Sequence, residues 1–215
     1  KKTIMKTSLL CFFLFMFSTL NAQIDYFPPL TGTEWDTLSF DELGWCDDQF
    51  DALCTHLEEG NTKAFLILKD GKIVVEKYFG DTNIDSNLPW NSAGKTITSL
   101  LIGIAQQDGL LSIEDKTADY LGNGWTSLSS EKEALITIEN QLSMTSGLND
   151  TAAYCVTPDC LTYLADAGDR WSYHNGPYTL LTNVIENASN QTINNYTLQN
   201  LKLQTGIDGL FIPLG

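Results

Sequence analysis

The chain has 215 residues, of which 43% are hydrophobic, and this is enough to bury one sizeable core. Its 27 acidic and 12 basic residues give a formal net charge of −15 at pH 7. Nucleic acids and anionic membranes bind basic surfaces, so the acidic composition argues against both as partners.

The first 22 residues have the pattern of a secretory signal peptide. Three lysines precede an apolar run over residues 9–17, and the small residue Ala22 stands before Gln23, where cleavage is expected. The run is too short to span a bilayer comfortably, and no later run approaches spanning length. We therefore expect an exported protein, periplasmic or extracellular, whose mature chain is one domain over residues 23–215. Removing three lysines and no acids changes the formal charge from −15 to −18.

The mature chain begins with a predicted helix and a predicted hairpin. Residues 47–59 carry apolar side chains at the helical period. Two β-rich runs follow over residues 63–68 and 72–79, and the Asp70-Gly71 pair between them is a strong hairpin signal. The sequence therefore predicts an antiparallel sheet close behind the first helix.

The next predicted helix places Ser92 and Lys95 side by side. Apolar residues recur at the helical period from Thr96 until Gly109, which is a typical helix stop. Residues three apart on a helix share a face, so the Lys95 ammonium can lie beside the Ser92 hydroxyl. A serine hydroxyl becomes a good nucleophile when an adjacent base takes its proton, and lysine can be that base. The S-x-x-K pair is thus a candidate nucleophile and base.

The same residues also allow a phosphate-binding interpretation. Gly94, Lys95 and Thr96 match the end of the G-x-x-x-x-G-K-[ST] loop of P-loop NTPases. Pro89 stands where that loop has its first glycine, and proline supplies neither a positive φ nor an N–H group. A P-loop NTPase is therefore the weaker alternative.

The second half of the chain predicts short helices joined by loops. These helices are expected over residues 137–144, 158–167, 178–188 and 193–203. Cys155 and Cys160 flank a turn-forming Val-Thr-Pro-Asp loop, and export would permit a disulfide between them. The cysteines and histidines lack the spacing of a zinc site, so we expect no metal, and no motif indicates a cofactor.

A Y-x-N triplet follows, with Tyr173 81 residues after Ser92. Tyr173 and Asn175 are two apart in a predicted loop, so both side chains can point into one cleft. A tyrosine beside a lysine can be held as phenolate, because the cation stabilises the charged form, and it can then accept and return a proton. Asn175 can hydrogen-bond a substrate carbonyl and the lysine. His174 suggests a Ser-His-Asp site, but we expect Tyr173 to occupy the cleft and His174 to be structural.

Together these motifs resemble those of the serine β-lactamase and penicillin-binding protein superfamily. The similarity is to the branch that groups class C β-lactamases, D-aminopeptidases, esterases and 6-aminohexanoate-dimer hydrolases. It covers the chain from about Lys63 to its end. It rests on S-x-x-K at residues 92–95, a segment similar to LLxHTSGL at residues 141–148, Y-x-N at residues 173–175 and Pro-Leu-Gly at residues 213–215.

The resemblance implies an α+β fold of the β-lactamase/transpeptidase type, with an antiparallel sheet flanked by helices and a helical subdomain. It implies a cofactor-independent serine hydrolase that cleaves a β-lactam, a D-peptide or a small ester or amide through an acyl-serine intermediate. The family's third motif, K-T-G or H-x-G, does not follow Y-x-N, so we expect the N-terminal portion of a longer protein, without one wall of the active site. The sequence leaves open whether this portion is active by itself. The alternative from another class is a catalytically silent relative that binds a peptide or a partner protein. The sequence leaves the oligomeric state open.

Overall fold

The computed structural model describes residues 26–32 and 34–212. The predicted signal peptide and the Pro-Leu-Gly segment at residues 213–215 lie outside the described residues. The chain divides into two compact units, one ending at Asn87 and the other beginning at Leu88. Within the described residues, no helix combines the length and the hydrophobicity needed to cross a membrane.

The first unit contains two helices and a hairpin. Helices α1 (Phe40–Leu43) and α2 (Phe50–Glu59) precede strands β1 (Ala64–Lys69) and β2 (Lys72–Tyr78). The two strands pair antiparallel with a bulge at Ile67/Leu68, which confirms the predicted hairpin. Helix α2 begins at Phe50 rather than at residue 47, because residues 48–49 form a turn.

The turn of this hairpin explains the Asp70-Gly71 pair. Asp70 has a φ of 51° and Gly71 a φ of 80°, and a two-residue turn of the I′ type requires positive φ at both positions. Gly71 also has no room for a side chain, since a Cβ atom there would lie 2.7 Å from the carbonyl oxygen of Tyr26.

The second unit is organised around the helix that follows Ser92. A 3₁₀ turn (Asn91–Gly94) leads directly into helix α3 (Lys95–Gln107). The α3 side chains of Leu101, Ile102 and Ala105 are fully buried and belong to the main core cluster. The shorter helices that follow are α4 (Ala118–Leu121), α5 (Ser130–Glu133), α6 (Ile138–Leu142), α7 (Asn175–Thr179), α8 (Leu181–Ser189), α9 (Ile193–Thr197) and α10 (Leu203–Thr205).

Helices α7 to α10 occupy the region of the last two predicted helices, with different end points. Asn175 was expected in a loop, but it is the first residue of α7. Pro177 lies inside the first turn of this helix, where a proline is tolerated. The predicted helix over residues 193–203 is present as α9 and α10, joined without a break by a π-helical turn (Leu198–Lys202). Leu181 of α8 and Tyr196 of α9 pack into the same core cluster as α3.

Residues 158–167 form no helix, so this prediction was wrong. Within the described residues, this stretch forms a single internal backbone bond, from Leu161 N–H to Pro158 O at 3.2 Å, and its other backbone bonds go to residues outside it. The N–H groups of Leu164 and Ala165 both donate to the carbonyl oxygen of Gly147, at 3.1 and 2.9 Å. Leu161 in this stretch is fully buried and packs in a second cluster with Trp125 and Leu148. Tertiary contacts therefore outweigh the helical period that the sequence suggests.

Candidate active site

Ser92 lies in the 3₁₀ turn immediately before α3. Asn91 opens this turn with a φ of 48°, a conformation that asparagine tolerates better than most residues. The Ser92 side chain is exposed. The N–H groups of a first helical turn have no partner within the helix, so the backbone here offers donors to a developing negative charge.

Lys95, the first residue of α3, joins Ser92 to the distant Y-x-N motif. Its Nζ donates to Ser92 Oγ at 3.2 Å and to Asn175 Oδ1 at 2.7 Å. The first contact follows from the helical spacing of i and i+3. The second spans 80 positions in the chain and depends on tertiary structure. One ammonium group therefore contacts two of the other predicted site residues.

Tyr173 is the fourth predicted site residue, and it lies beside Ser92 and Lys95. The Lys95 Nζ atom lies 5.0 Å from the centroid of the Tyr173 ring, within the range of a cation–π contact. Hydrogen bonding with Ser92, and then with Lys95, lowers the pKa of Tyr173 below its ordinary value of 10.0. Because the side chain is 46% exposed, its hydroxyl remains accessible to a substrate. A larger fraction of Tyr173 is therefore ionised near neutral pH than in a free tyrosine, and this phenolate can accept a proton.

Asn175 presents its amide to the same place. It begins α7 and is 9% exposed, so its position is set by packing. The Oδ1 atom is occupied by the Lys95 ammonium. The amide N–H groups are then available as donors to a substrate carbonyl.

His174 lies on the opposite side of the chain from Tyr173. Its side chain is only 3% exposed, whereas the Tyr173 ring on the preceding residue is nearly half exposed. Burial lowers the pKa of His174 and outweighs the attraction of Asp150, which favours the neutral ring. Within the described residues neither ring nitrogen has a hydrogen-bond partner, so no His174 contact activates Ser92.

A carboxylate anchors the segment that carries Tyr173. Asp150 Oδ2 accepts a short hydrogen bond from Ser172 Oγ, and Asp150 Oδ1 forms an ion pair with Arg170 at 3.0 Å. These two bonds lower the pKa of Asp150 to about 2, the Ser172 bond contributing most. The backbone N–H of Ser172 also donates to Met144 O at 3.0 Å. The residue just before Tyr173 is thus held from two directions.

The loop that contains the Cys155–Cys160 disulfide supports the Asn175 end of the Y-x-N motif. Cys155 and Cys160 are joined in a disulfide with their Cα atoms 6.2 Å apart. Gly176 N–H donates to Ala153 O at 2.9 Å, and a Cβ atom at Gly176 would collide with the Cys155 carbonyl oxygen. Only glycine allows this close approach, so the disulfide loop sits directly against the first turn of α7.

Three supporting residues were not predicted from the sequence. Tyr178 contacts Lys95, Gln141 Nε2 donates to the Pro177 carbonyl oxygen at 2.7 Å, and Asp150 anchors Ser172. The position of Tyr178, three residues after Asn175 on the same helical face, was the available clue. The other two contacts join segments 22 and 36 positions apart. Gln141 begins the LLxHTSGL-like segment at residues 141–148, but that similarity does not indicate its contact with Pro177.

Among the described residues, one group has metal-ligand atoms close together: Cys155, Asp159 and Cys160. Both sulfur atoms of this group are in the disulfide. Thiolates rather than disulfide sulfurs bind metals, so we assign no metal centre to this group.

The comparisons with known proteins identify the family. A family model described as Beta-lactamase matches residues 50–201, which is more than half of the chain. The chain belongs to the beta-lactamase family. The match contains all four residues of the candidate site and confirms the resemblance inferred from the motifs. No curated protein matches the sequence significantly.

Solved structures confirm the β-lactamase/transpeptidase-like fold. A beta-lactamase-like protein from Bacteroides dorei has a TM-score of 0.63 and 18% identity, over 75% of this chain and 52% of its own. A 6-aminohexanoate-dimer hydrolase homologue from Bacillus anthracis has a TM-score of 0.61 and 16% identity, over 79% and 52%. An octameric penicillin-binding protein homologue from Pyrococcus abyssi has a TM-score of 0.56 and 20% identity, over 72% and 42%. The chain spans about half the length of these structures.

Proposed function

We propose that the protein is an exported serine hydrolase that cleaves an ester or an amide through an acyl-serine intermediate. One observation carries the proposal: the Lys95 ammonium contacts Ser92 Oγ and Asn175 Oδ1 and lies against the Tyr173 ring. A hydroxyl, an amine, a phenol and an amide from two distant segments thus meet at one exposed point. Membership of the beta-lactamase family supports the same reaction class.

The proposed first step forms the acyl-enzyme. Ser92 Oγ attacks the substrate carbonyl carbon while its proton passes to the Tyr173–Lys95 pair. The lowered pKa of Tyr173 makes the phenolate accessible for this transfer. Charge that develops on the carbonyl oxygen is stabilised by backbone N–H groups at the turn of Ser92. Asn175 aligns the substrate through its free amide donors.

The bond between the carbonyl carbon and the leaving oxygen or nitrogen then breaks. The proton held by the Tyr173–Lys95 pair passes to the leaving group, which departs as an alcohol or an amine. In the second half of the reaction, water gives a proton to the same pair and attacks the acyl carbon. The bond between that carbon and Ser92 Oγ then breaks, and the pair returns the proton to Oγ, so that a carboxylic acid is released and Ser92 is regenerated. The four residues serve both halves of the cycle, so no cofactor enters the proposal.

Replacement of Ser92 by alanine tests the assignment in the protein as its gene encodes it. We expect ester turnover to fall by roughly 10³-fold or more, because no other group in the site can form the acyl bond. Labelling by a fluorophosphonate or a penicillin-type probe should be lost as well. Ser130→Ala is the matched control, since Ser130 is an exposed serine at the start of α5 and no side-chain hydrogen bond of the described residues joins it to the candidate site. Turnover that survives Ser92→Ala would falsify the proposal.

The same experiment separates the enzyme from a catalytically silent binding protein. A silent relative would bind a substrate-like probe reversibly, and it would show neither covalent labelling nor turnover even with Ser92 intact. A P-loop NTPase would instead bind nucleotide. We disfavour it because the Lys95 ammonium is engaged by Ser92 and Asn175, and because the chain belongs to the beta-lactamase family.

Export remains part of the proposal. It is supported by the composition of residues 1–22 and by the Cys155–Cys160 disulfide, since such bonds persist in oxidising compartments. N-terminal sequencing of the protein recovered from outside the cytoplasm should begin at Gln23. Recovery of uncleaved protein only from the cytoplasm would contradict this part of the proposal and leave the chemistry at Ser92 untouched.

A further inference from the structure

Tyr178 contacts Lys95 at both ends of the lysine. Its hydroxyl donates to the Lys95 backbone oxygen at 3.0 Å, and its ring centroid lies 5.6 Å from the Lys95 ammonium. The residue lies in α7 and is 7% exposed. Its ring and its hydroxyl therefore both contact Lys95.

Lys95 has an unusual set of neighbours. Four side chains face its ammonium: the Ser92 hydroxyl, the Asn175 amide oxygen and the rings of Tyr173 and Tyr178. Within the described residues, no carboxylate pairs with it. The negative potential that offsets the cation therefore comes from two aromatic faces and two neutral oxygens.

We propose that Tyr178 is a positioning residue that holds the Lys95 ammonium between two rings, so that it acts on Ser92 and Tyr173 together. This inference rests on the proposed hydrolase function. The Tyr178 hydroxyl holds the backbone at the start of α3, and its ring limits where the flexible lysine side chain can go. Without that ring, the ammonium is free to swing away from the Tyr173 face.

The surroundings of Tyr178 suit this role. Burial raises the pKa of Tyr178 above its ordinary value of 10.0, so the hydroxyl stays protonated and remains a donor near neutral pH. Gln141 holds the Pro177 carbonyl oxygen next to it, which orients the turn of α7. Helix α7 therefore holds the Tyr178 ring against Lys95, and the bond from Gln141 restricts the movement of that helix.

The test is the pH profile of kcat/KM for Tyr178→Met, in the protein as its gene encodes it. Methionine fills space adaptably but has no aromatic face. We expect kcat/KM to fall about tenfold, the magnitude of a lost cation–π contact in a partly dry site. Because Lys95 helps to lower the pKa of Tyr173, the ascending limb should move to higher pH by about 0.5 to 1 unit.

Tyr196→Met is the matched control for a purely structural effect. Tyr196 is 1% exposed and packs in the same core cluster as Tyr178, and Lys95 is not among its contacts in the described residues. It should lower thermal stability and leave the ascending limb in place. If Tyr178→Met lowers stability without moving that limb, Tyr178 is only a packing residue and the inference is overturned.

A second pair keeps the test decisive if Tyr178→Met fails to fold. Tyr178→Phe keeps the aromatic ring. Replacement of Tyr178 by pentafluorophenylalanine keeps the shape of the ring but reverses the sign of the ring quadrupole. We expect the phenylalanine variant to retain the wild-type limb and the fluorinated variant to move it upward. Identical profiles for the two would refute the aromatic contact. Loss of turnover in Ser92→Ala remains the separate test of the hydrolase itself.

Discussion

The two halves of the candidate site are built in different ways. Ser92 and Lys95 are three residues apart, and a single helical turn brings them together on α3, whose buried face lies in the main core. Tyr173 comes from the loop that Asp150 anchors through Ser172, and Asn175 comes from the first turn of α7, against which the disulfide loop packs. The first half depends on local structure, and the second depends on contacts made far along the chain.

This difference has a consequence for mutation. Changes to the helical half should remove chemistry while leaving the fold intact, because α3 is stabilised by its own buried side chains. Changes to the residues that support Tyr173 and Asn175, which we call the loop-borne half, should displace these two side chains. Such changes should therefore lower stability and turnover together.

Lys95→Met should lower kcat by about 10³-fold, since it removes a partner in proton transfer that typically contributes 10²- to 10⁴-fold. Its thermal midpoint should change little, because methionine is a good helix former at a partly exposed position. Steady-state kinetics with a chromogenic ester and a thermal melt measure both. Lys116→Ala, which removes an exposed lysine from the same unit, is the control and should preserve turnover. A near-normal kcat in Lys95→Met would remove Lys95 from the mechanism.

A pair of glycines compares the two halves directly. Gly176→Ala places a Cβ atom against the Cys155 carbonyl oxygen, so it should lower kcat/KM by about 10- to 100-fold and destabilise the protein by about 1–3 kcal/mol. Gly103→Ala on α3 meets nothing within 4 Å and should stabilise the helix by about 0.5–1 kcal/mol with unchanged turnover. Urea denaturation and ester kinetics on both variants give the comparison. Equal effects of the two substitutions would contradict it.

The disulfide offers a milder way to loosen the loop-borne half. Replacing Cys155 and Cys160 together by serine should cost about 2 kcal/mol of stability, as expected for closing so short a loop. Turnover should fall only a few-fold, because Gly176 keeps its backbone bond to Ala153. Cys46→Ser is the control, since Cys46 is an exposed free cysteine in the other unit. Full activity and stability of the double variant would mean that the loop holds itself without the bond.

The same contrast explains what the sequence could predict. Ser92 and Lys95 are adjacent on a helix whose apolar period is plain, and the Asp70-Gly71 hairpin is equally local. Both the hairpin and the family fold were therefore predictable. The helix expected over residues 158–167 was wrong, because a long-range bond to Gly147 and a buried Leu161 decide the conformation there.

The supports of the site could not be predicted for a related reason. Asp150 and Gln141 act on residues that lie 22 and 36 positions away, and their side chains form no pattern with those partners in the sequence. Their roles depend on which loops meet, and that is a property of the packed chain. The candidate catalytic residues were recognised by their spacing, whereas the residues that hold them in position could be found only from coordinates.

The smallest predicted effect is a pH dependence that originates at Asp150. Its folded-state pKa is about 2, below the ordinary 3.8, so its ionised form stabilises the folded protein fully above about pH 4. That stabilisation is lost as the pH falls from about 4 to 2, when the carboxyl group takes up a proton and releases Ser172 and Arg170. Urea denaturation of Asp150→Asn should therefore show lower stability than the wild type at pH 7 and a flatter decline between pH 4 and 2. Asp159→Asn, in the exposed disulfide loop, should follow the wild-type curve. If Asp150→Asn declines as steeply as the wild type, the carboxylate does not anchor the loop-borne half, and its support rests on Gly176 and the backbone bond of Ser172 to Met144.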